Sequence, residues 1–216
     1  MIKSASSFFL LSLLSQLVLA DDSTTRNAGP FGAETSIYMR VYNYAEAPEA
    51  VLGAAKAEAA RIYRHSGVKL EWVDCPCSVE DVPDYPACQS LAGGPAVLQV
   101  KILPKSMAKR LGAPRLDFGL SMIPKDGGLA FNTSIFYHRV EAIAKKGGLS
   151  RAVILGHILA HEIGHLLLGR GSHSGSGIMH VPWDKLQLRR ASEGRLLFTS
   201  PQAKQIRDQV LRRYRG

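Results

Sequence analysis

The apolar segment at residues 151–168 carries His161 and His165, two histidines four positions apart. Its apolar residues spread widely around a helical axis, which predicts a helix buried on most sides. On one face of a helix, residues i and i+4 lie about 6 Å apart along the axis, so both imidazoles can bind one metal ion. Glu162 lies about a third of a turn away, where its carboxylate can reach a water on the metal without binding the metal. This spacing predicts a zinc site on a central helix.

A glycine-rich sequence follows this segment. Ser150 is a candidate N-cap, and Gly169 and Gly171 lie where the helix is predicted to end. Beyond them come His173 and the sequence Gly-Ile-Met that ends at Met179. Together with the two histidines and the glutamate, these residues resemble the metzincin zinc metalloproteases, whose motif is H-E-x-x-H-x-x-G-x-x-H followed by a methionine-containing turn.

The resemblance implies a role for each matching residue, with Zn²⁺ as the cofactor. It implies that His161 and His165 bind zinc and that Met179 forms the turn beneath the metal. It also implies Glu162 as the general base. Three imidazoles leave a fourth position for water, whose pKa zinc lowers toward 7, and the glutamate takes the proton during attack on a carbonyl.

The third ligand is where the chain departs from the family pattern. The motif requires glycine and histidine at the positions that Leu168 and Gly171 occupy here. His173 comes two residues late, and the glycines at 169 and 171 allow the backbone to turn back under the helix. We take His173 as the third ligand. The alternatives are His180, next to the methionine, and Glu193, which would serve in a gluzincin-like enzyme.

Two neighbouring positions are not predicted to act at the metal. His157 lies four residues before His161, and three ligands along a straight helix would span about 12 Å, too far for one ion with bonds of about 2 Å. We predict that His157 either supports the metal ligands from behind or packs in the core. Val181 lies two residues after Met179, where some metzincins carry a tyrosine that helps at the metal.

Sequence patterns on both sides of the helix predict an α/β (α+β) fold. The order resembles a metzincin catalytic domain spanning residues 34–216: a twisted, mostly parallel sheet of about four to five strands, an N-terminal helix, a central active-site helix and a C-terminal helix. Alternating patterns predict strands at 35–43, 68–73, 96–103, 116–123 and 129–140, the last one bending midway. Apolar spacing predicts helices at 48–65, 106–111, 151–168 and 201–213.

The first twenty residues have the composition of a secretory signal peptide. Lys3 precedes an apolar run from Phe8 to Leu19, and the small residue Ala20 follows. A membrane anchor would need nearer 20 uninterrupted apolar residues. We therefore predict a signal peptide at 1–20, a flexible leader at 21–33, and a secreted or periplasmic protein whose mature chain has no membrane span.

Three cysteines lie close together in this exported chain, at Cys75, Cys77 and Cys88. An oxidising compartment favours a disulfide bond. Either Cys75 or Cys77 can pair with Cys88 and close the intervening loop, whereas a bond between Cys75 and Cys77 would be badly strained. One thiol is left over in either case.

The chain is basic, with 27 Lys and Arg against 18 Asp and Glu and a formal charge of +9. We interpret the excess near the C-terminus as a solvated helix face rather than a surface for an anionic partner. Aromatic residues are not interleaved for base stacking, so no specific nucleic-acid partner is predicted. The basic residues of this segment are Lys185, Arg189, Arg190, Arg195, Lys204, Arg207, Arg212, Arg213 and Arg215.

These features predict a monomeric, zinc-dependent metalloendopeptidase that acts on a protein or peptide substrate. An extended peptide would add to an edge strand of the sheet, which we place near Gly128 to Phe131. The alternatives are a zinc amidohydrolase acting on small or cell-wall peptides and a non-catalytic zinc domain that binds a partner through its basic face. Glu162 argues against the last, because a purely structural site needs no base.

Overall fold

The computed structural model describes residues 35–89, 96–112 and 117–215. The predicted signal peptide at 1–20 and leader at 21–33 lie outside these ranges and stay predictions. Within the described ranges the strands are β1 (Thr35–Asn43), β2 (Val68–Cys75), β3 (Val97–Leu103), β4 (Gly119–Met122) and β5 (Asn132–Phe136). The α-helices are α1 (Glu49–His65), α2 (Pro86–Gln89), α3 (Lys105–Arg110), α4 (Tyr137–Gly147), α5 (Arg151–Leu168), α6 (Lys185–Ser192) and α7 (Ser200–Arg215).

The strands form one five-stranded sheet in the order β2-β1-β3-β5-β4. The first four strands in this order pair in parallel, and β4 pairs antiparallel with β5 at one edge. The predicted mixed α/β class, with a mostly parallel sheet, is confirmed. The N-terminal, central and C-terminal helices predicted from the sequence correspond to α1, α5 and α7.

Helix α5 is the core helix of the fold. It is long and apolar enough to span a bilayer by composition, yet 72% of it is buried inside the protein. Its surroundings explain this composition, because α5 packs against α1, α4, α7 and the sheet. Each fully buried Ile or Leu side chain on such a helix contributes about 1.5–3 kcal/mol.

Two glycines of α5 let neighbouring elements approach closely. A Cβ on Gly156 would lie 2.7 Å from Glu58 Cβ and 2.9 Å from the main-chain oxygen of Ala55, both on α1. A Cβ on Gly164 would lie 2.8 Å from the sulfur of Met179. The absence of side chains at these two positions therefore sets how closely α1 and the methionine pack against α5.

The predicted strand at 129–140 is wrong in its second half. Only residues 132–136 are strand, and α4 follows at once. The buried side chains Tyr137, Val140 and Ala144 recur at helical spacing, which is the pattern of a helix packed on one face. Gly148, with φ 62°, ends this helix in the left-handed conformation.

Helix α6 was not predicted, although the sequence contains its start signal. The Asp184 side chain accepts hydrogen bonds from the main-chain N–H groups of Leu186 and Gln187. The Gln187 side chain in turn accepts from the Asp184 N–H, completing a capping box. Pairing of this kind stabilises a short, largely polar helix whose apolar pattern is weak.

Two side-chain expectations have definite outcomes. A disulfide joins Cys75 to Cys88, which is one of the two predicted alternatives, and Cys77 is free and exposed.

Arg213, assigned from sequence to the solvated basic face, is buried, with 1% of its surface exposed. It donates hydrogen bonds to the main-chain oxygens of Ala130 at 2.7 Å and Leu166 at 3.1 Å, and so ties α7 to the end of α5.

Candidate metal centre

Helix α5 and the loop after it bring three imidazoles together. One ligand nitrogen each from His161, His165 and His173 lies within 4.8 Å of the other two. The first two side chains share one face of α5, and their Nε2 atoms are 3.1 Å apart. His173 comes from the loop, and its ring centroid is 4.7 Å from that of His165. The structure therefore clusters the three histidines that the sequence analysis selected.

Hydrogen bonds to the far sides of the rings orient them. His161 Nδ1 lies 2.8 Å from the main-chain oxygen of Ile178, which can only accept, so Nδ1 carries the proton. In the neutral ring, His161 Nε2 then has no proton and carries a free lone pair. His165 Nδ1 lies 2.8 Å from the Ser172 hydroxyl, which can accept from Nδ1 and leave the second Nε2 as a lone pair as well. Two such lone pairs facing each other create a site for a cation.

Burial keeps these rings neutral in the metal-free protein. Desolvation is the main cause that lowers the pKa of His161 to about 4; the nearby His173 adds to this, and the hydrogen bond to Ile178 opposes it. Burial, followed by the charges of His161 and His173, lowers the pKa of His165 to about 3. At neutral pH both rings are therefore neutral imidazoles rather than imidazolium ions, which is the state that binds a metal.

The loop after α5 turns through glycines. Gly169 and Gly171 adopt φ of 82° and 67°, a conformation that costs other residues strain. This is the backbone freedom that the late third histidine requires. Met179 is fully buried, and its sulfur packs against Gly164, on α5 between the two helical histidines.

The two alternative third ligands lie elsewhere. His180 is not part of the histidine cluster among the described residues, and its Nδ1 lies 3.3 Å from the main-chain oxygen of Ser174. Glu193 is exposed, and hydrogen bonding to Arg195 lowers its pKa. Neither is brought to the helical pair.

Glu162 is buried against the sheet, with 5% of its surface exposed. Its Oε2 accepts a hydrogen bond of 2.8 Å from the hydroxyl of Ser121 on β4. Burial raises the pKa of Glu162 to about 7, and the negative charge of Asp117 adds to this, while hydrogen bonds from Ser121 and Thr133 oppose it. A carboxyl group with such a pKa can accept and release a proton near neutral pH.

Sequence reasoning missed three residues around this carboxylate: Gly119, Ser121 and Thr133. A Cβ on Gly119 would lie 2.5 Å from Glu162 Cδ, so only glycine leaves room for the side chain. The sequence offered one signal, the small residues Gly119 and Ser121 at alternate positions of β4. A contact between this strand and a distant helix leaves no local sequence pattern.

Trp183, also missed, lies beside the centre. Its indole N–H donates to the main-chain oxygen of Ile178 at 3.3 Å, the same atom that accepts from His161. Its ring lies 6.0 Å from the His161 ring and 6.5 Å from that of His157.

His157 is fully buried, and its Nδ1 lies 2.9 Å from the Val153 main-chain oxygen. It is not among the clustered nitrogens, which fits the prediction that it does not bind the metal.

The expected location of the edge strand is wrong. Residues 128–131 have no strand conformation. The two edge strands are β2 and β4, and β4, at 119–122, is the one in contact with Glu162. Residues 128–131 lead into β5, and β5 is an interior strand with β3 on one side and β4 on the other. This segment therefore does not form an edge of the sheet. On β4, Leu120 and Met122 are exposed, while Ser121 points to Glu162.

Comparison with known proteins identifies no family. No protein-family model matches the chain, and no curated protein matches it. Among solved structures, it is similar to a zinc-dependent peptidase from Methanocorpusculum labreanum (strain Z), with 14% identity and a TM-score of 0.48. The match covers 78% of this chain and 99% of that one. At this level the likeness carries no statement about activity.

Proposed function

We propose that this protein is a zinc-dependent metalloendopeptidase of the metzincin type. The observation that carries the proposal is the cluster of nitrogens from His161, His165 and His173 within 4.8 Å of one another. The buried carboxyl of Glu162 next to the first ligand supports a hydrolytic role. Met179 beneath the helix supports the metzincin type, since it matches the family's methionine turn.

Zinc fits this donor set. Imidazole nitrogen is a preferred zinc ligand, and three protein ligands with an open fourth position are typical of catalytic sites, whereas structural sites have four. The hydrogen bond from His161 Nδ1 to Ile178 fixes the tautomer that offers Nε2 to the metal. Cys77, the free thiol of the described residues, is not part of the cluster.

The residues of the chain then have distinct tasks in peptide hydrolysis. Zinc bound here would supply Lewis-acid chemistry, acidifying a water molecule and polarising the scissile carbonyl. Glu162 accepts the proton of the attacking water and passes it to the leaving amine, and its pKa near 7 suits both steps. His161, His165 and His173 would hold the metal through one ring nitrogen each.

An extended peptide substrate fits the free side of β4. This strand is the sheet edge next to Glu162, so its main chain can pair with a substrate strand. Pairing through the main chain accepts many sequences and does not require a chain end. We therefore propose cleavage within protein or peptide chains.

The basis for export is the sequence of residues 1–20 together with the disulfide between Cys75 and Cys88. Disulfide bonds persist mainly in oxidising compartments. We propose that the mature protein is secreted or periplasmic and begins at Asp21, which N-terminal sequencing of the exported protein would test.

A non-catalytic zinc domain is the competing class, and the environment of Glu162 argues against it. Within the described residues no basic side chain forms an ion pair with this carboxylate. Burying a carboxyl group without a cation costs stability. A purely structural zinc site has no need of such a group.

One comparison tests the function: zinc content and chelator-sensitive cleavage of casein by wild type, Glu162→Gln and His173→Ala. We expect Glu162→Gln to bind zinc normally and to lose about 10²–10⁴-fold in kcat. We expect His173→Ala to lose zinc affinity as well as activity. Undiminished cleavage by Glu162→Gln would refute the mechanism, and normal zinc binding by His173→Ala would refute only the third ligand.

A further inference from the structure

A hydroxyl group from the sheet is in contact with the residue proposed as general base. Ser121 Oγ lies 2.8 Å from Glu162 Oε2 and 3.0 Å from the main-chain oxygen of the same residue. Both acceptors belong to Glu162, so the hydroxyl bonds this residue whichever oxygen takes its single proton. A bond to the charged carboxylate is the stronger of the two.

A second hydroxyl orients the first. Thr133 lies directly opposite Ser121 in the antiparallel pair of β4 and β5. The two side-chain oxygens are 2.9 Å apart, and either can be the donor. If Ser121 donates to Glu162, Thr133 can donate to Ser121 Oγ at 2.9 Å or to the main-chain oxygen of Leu120 at 3.4 Å, and the bond to Ser121 is the shorter one.

The neighbouring glycine confines the carboxylate from the other side. A Cβ on Gly119 would lie 2.5 Å from Glu162 Cδ and 2.7 Å from Cγ. It would also lie 2.6 Å from the main-chain oxygen of Ser134, so the position serves the sheet as well. The Glu162 side chain therefore occupies a slot between Gly119 and Ser121 on the edge strand.

We propose that Ser121 is a positioning residue that fixes the orientation of the Glu162 carboxylate, with Thr133 orienting Ser121. The inference rests on the proposed function. The bond from Ser121 holds Oε2, and the Thr133 hydroxyl also hydrogen-bonds this carboxylate, so two side chains of the sheet fix its orientation. A glutamate side chain has several rotamers, and misplacing a catalytic group by about 1 Å can cost about 10²-fold in rate.

The kinetic test compares variants with and without a hydroxyl group at position 121. We expect Ser121→Ala and Ser121→Val to lower kcat by about 10- to 100-fold, with KM and zinc affinity within about twofold of wild type. We expect Ser121→Thr, which keeps a hydroxyl on a residue suited to strands, to recover kcat to within about threefold. Ser192→Ala, at an exposed position on α6, is the matched control with wild-type kcat.

Two kinetic outcomes would overturn the inference. The first is a kcat for Ser121→Ala within about twofold of wild type. The second is a fall in zinc affinity that matches the fall in kcat, since that is the signature of a merely structural role. If Glu162→Gln is itself fully active, the proposed function fails. If Glu162→Gln is inactive while Ser121→Ala is fully active, only the positioning inference fails.

A measurement without zinc tests the contact itself. In the metal-free protein, Ser121→Ala removes the donor and Glu162→Met the acceptor of one hydrogen bond, so their effects on Tm should not add. We expect the double variant to depart from the sum of the two shifts by about 2–4 °C. Additive shifts would show that the bond is absent in solution and would overturn the proposal.

Discussion

His161 Nε2 and His165 Nε2 face each other at 3.1 Å across one turn of a buried helix. The Nδ1 of His161 is committed to the Ile178 carbonyl, so its Nε2 has no proton to share in the neutral state. A cation between the two atoms would bind the lone pairs of both nitrogens. The consequences for metal binding, acid stability and packing can each be measured.

Zinc should stabilise the folded protein by mass action. At free zinc about 100 times its dissociation constant, the gain is about 2.7 kcal/mol, or roughly 5–11 °C in Tm for a chain of this size. Calorimetry with zinc and with chelator measures this difference. His180→Ala, which lies outside the cluster, should keep the full shift, whereas His173→Ala should lose most of it. The reverse result would make His180 the third ligand.

Ser172 should tune the metal affinity through His165, because its hydroxyl lies 2.8 Å from the far nitrogen of that ring and can accept from it. Loss of such an outer partner typically costs 10- to 100-fold in affinity. We expect Ser172→Ala to weaken zinc binding by about this factor in competition with a fluorescent chelator. Ser176→Ala, at an exposed position in the same loop, is the control and should bind zinc like wild type. Equal affinities for the two variants would refute the role.

The metal-free protein should lose stability in acid. The folded pKa of His161 is about 4 and that of His165 about 3, both below the ordinary 6.5, so the unfolded chain takes up protons first as the pH falls. The stability contributed by the neutral rings is therefore present above pH 6.5 and is lost toward pH 3–4, by at most about 1.4 kcal/mol per pH unit for each ring.

Urea unfolding of the chelated protein between pH 7.5 and 4.5 measures this loss. His161→Ala should flatten the profile, because it removes one of the two rings. His65→Gln, at an exposed position, should leave the profile unchanged. An identical profile for wild type and His161→Ala would show that the buried ring is not responsible.

The helix glycines should differ in their tolerance of a methyl group. At Gly156 the new Cβ would meet the main-chain oxygen of Ala55 at 2.9 Å, which cannot move away easily. At Gly164 it would meet the flexible end of Met179 and the ring of Phe198. We expect Gly156→Ala to destabilise by about 1–3 kcal/mol or more, and Gly164→Ala by less.

Gly53, on α1, supplies the matched control for these substitutions. Nothing lies within 4 Å of a Cβ there, so Gly53→Ala should stabilise the helix by about 0.5–1 kcal/mol. Denaturant midpoints of the three variants give the ranking. A smaller loss at Gly156 than at Gly164 would mean that α1 can shift away from α5.

Local patterns carried most of what could be predicted. The helical period alone places His161 and His165 on one face, and the glycines after the helix indicate the turn that brings His173 to them. Helix α4 was missed because its apolar residues follow a strand directly and continue the same run. The period changes from two to between three and four at Tyr137, without a glycine or proline to mark the boundary.

Contacts between distant parts of the chain could not be predicted in this way. Ser121 meets Glu162 across 41 positions, and this proximity depends on how the edge strand packs against α5. Arg213 looks like any other cation of a basic helix, yet it is buried and donates to two main-chain oxygens, one near the end of α5 and one before β5. Such pairings depend on tertiary packing, which leaves no periodic signal.

The edge strand β4 is only four residues long. At about 3.3 Å per residue it offers roughly 13 Å of main chain to a partner. Long, flat edges promote sheet-to-sheet aggregation, and a very short edge strand is one of the ways in which proteins avoid it. At this edge of the sheet, a strand of this length can align a few residues of an extended peptide while offering a second copy of the chain little backbone to pair with.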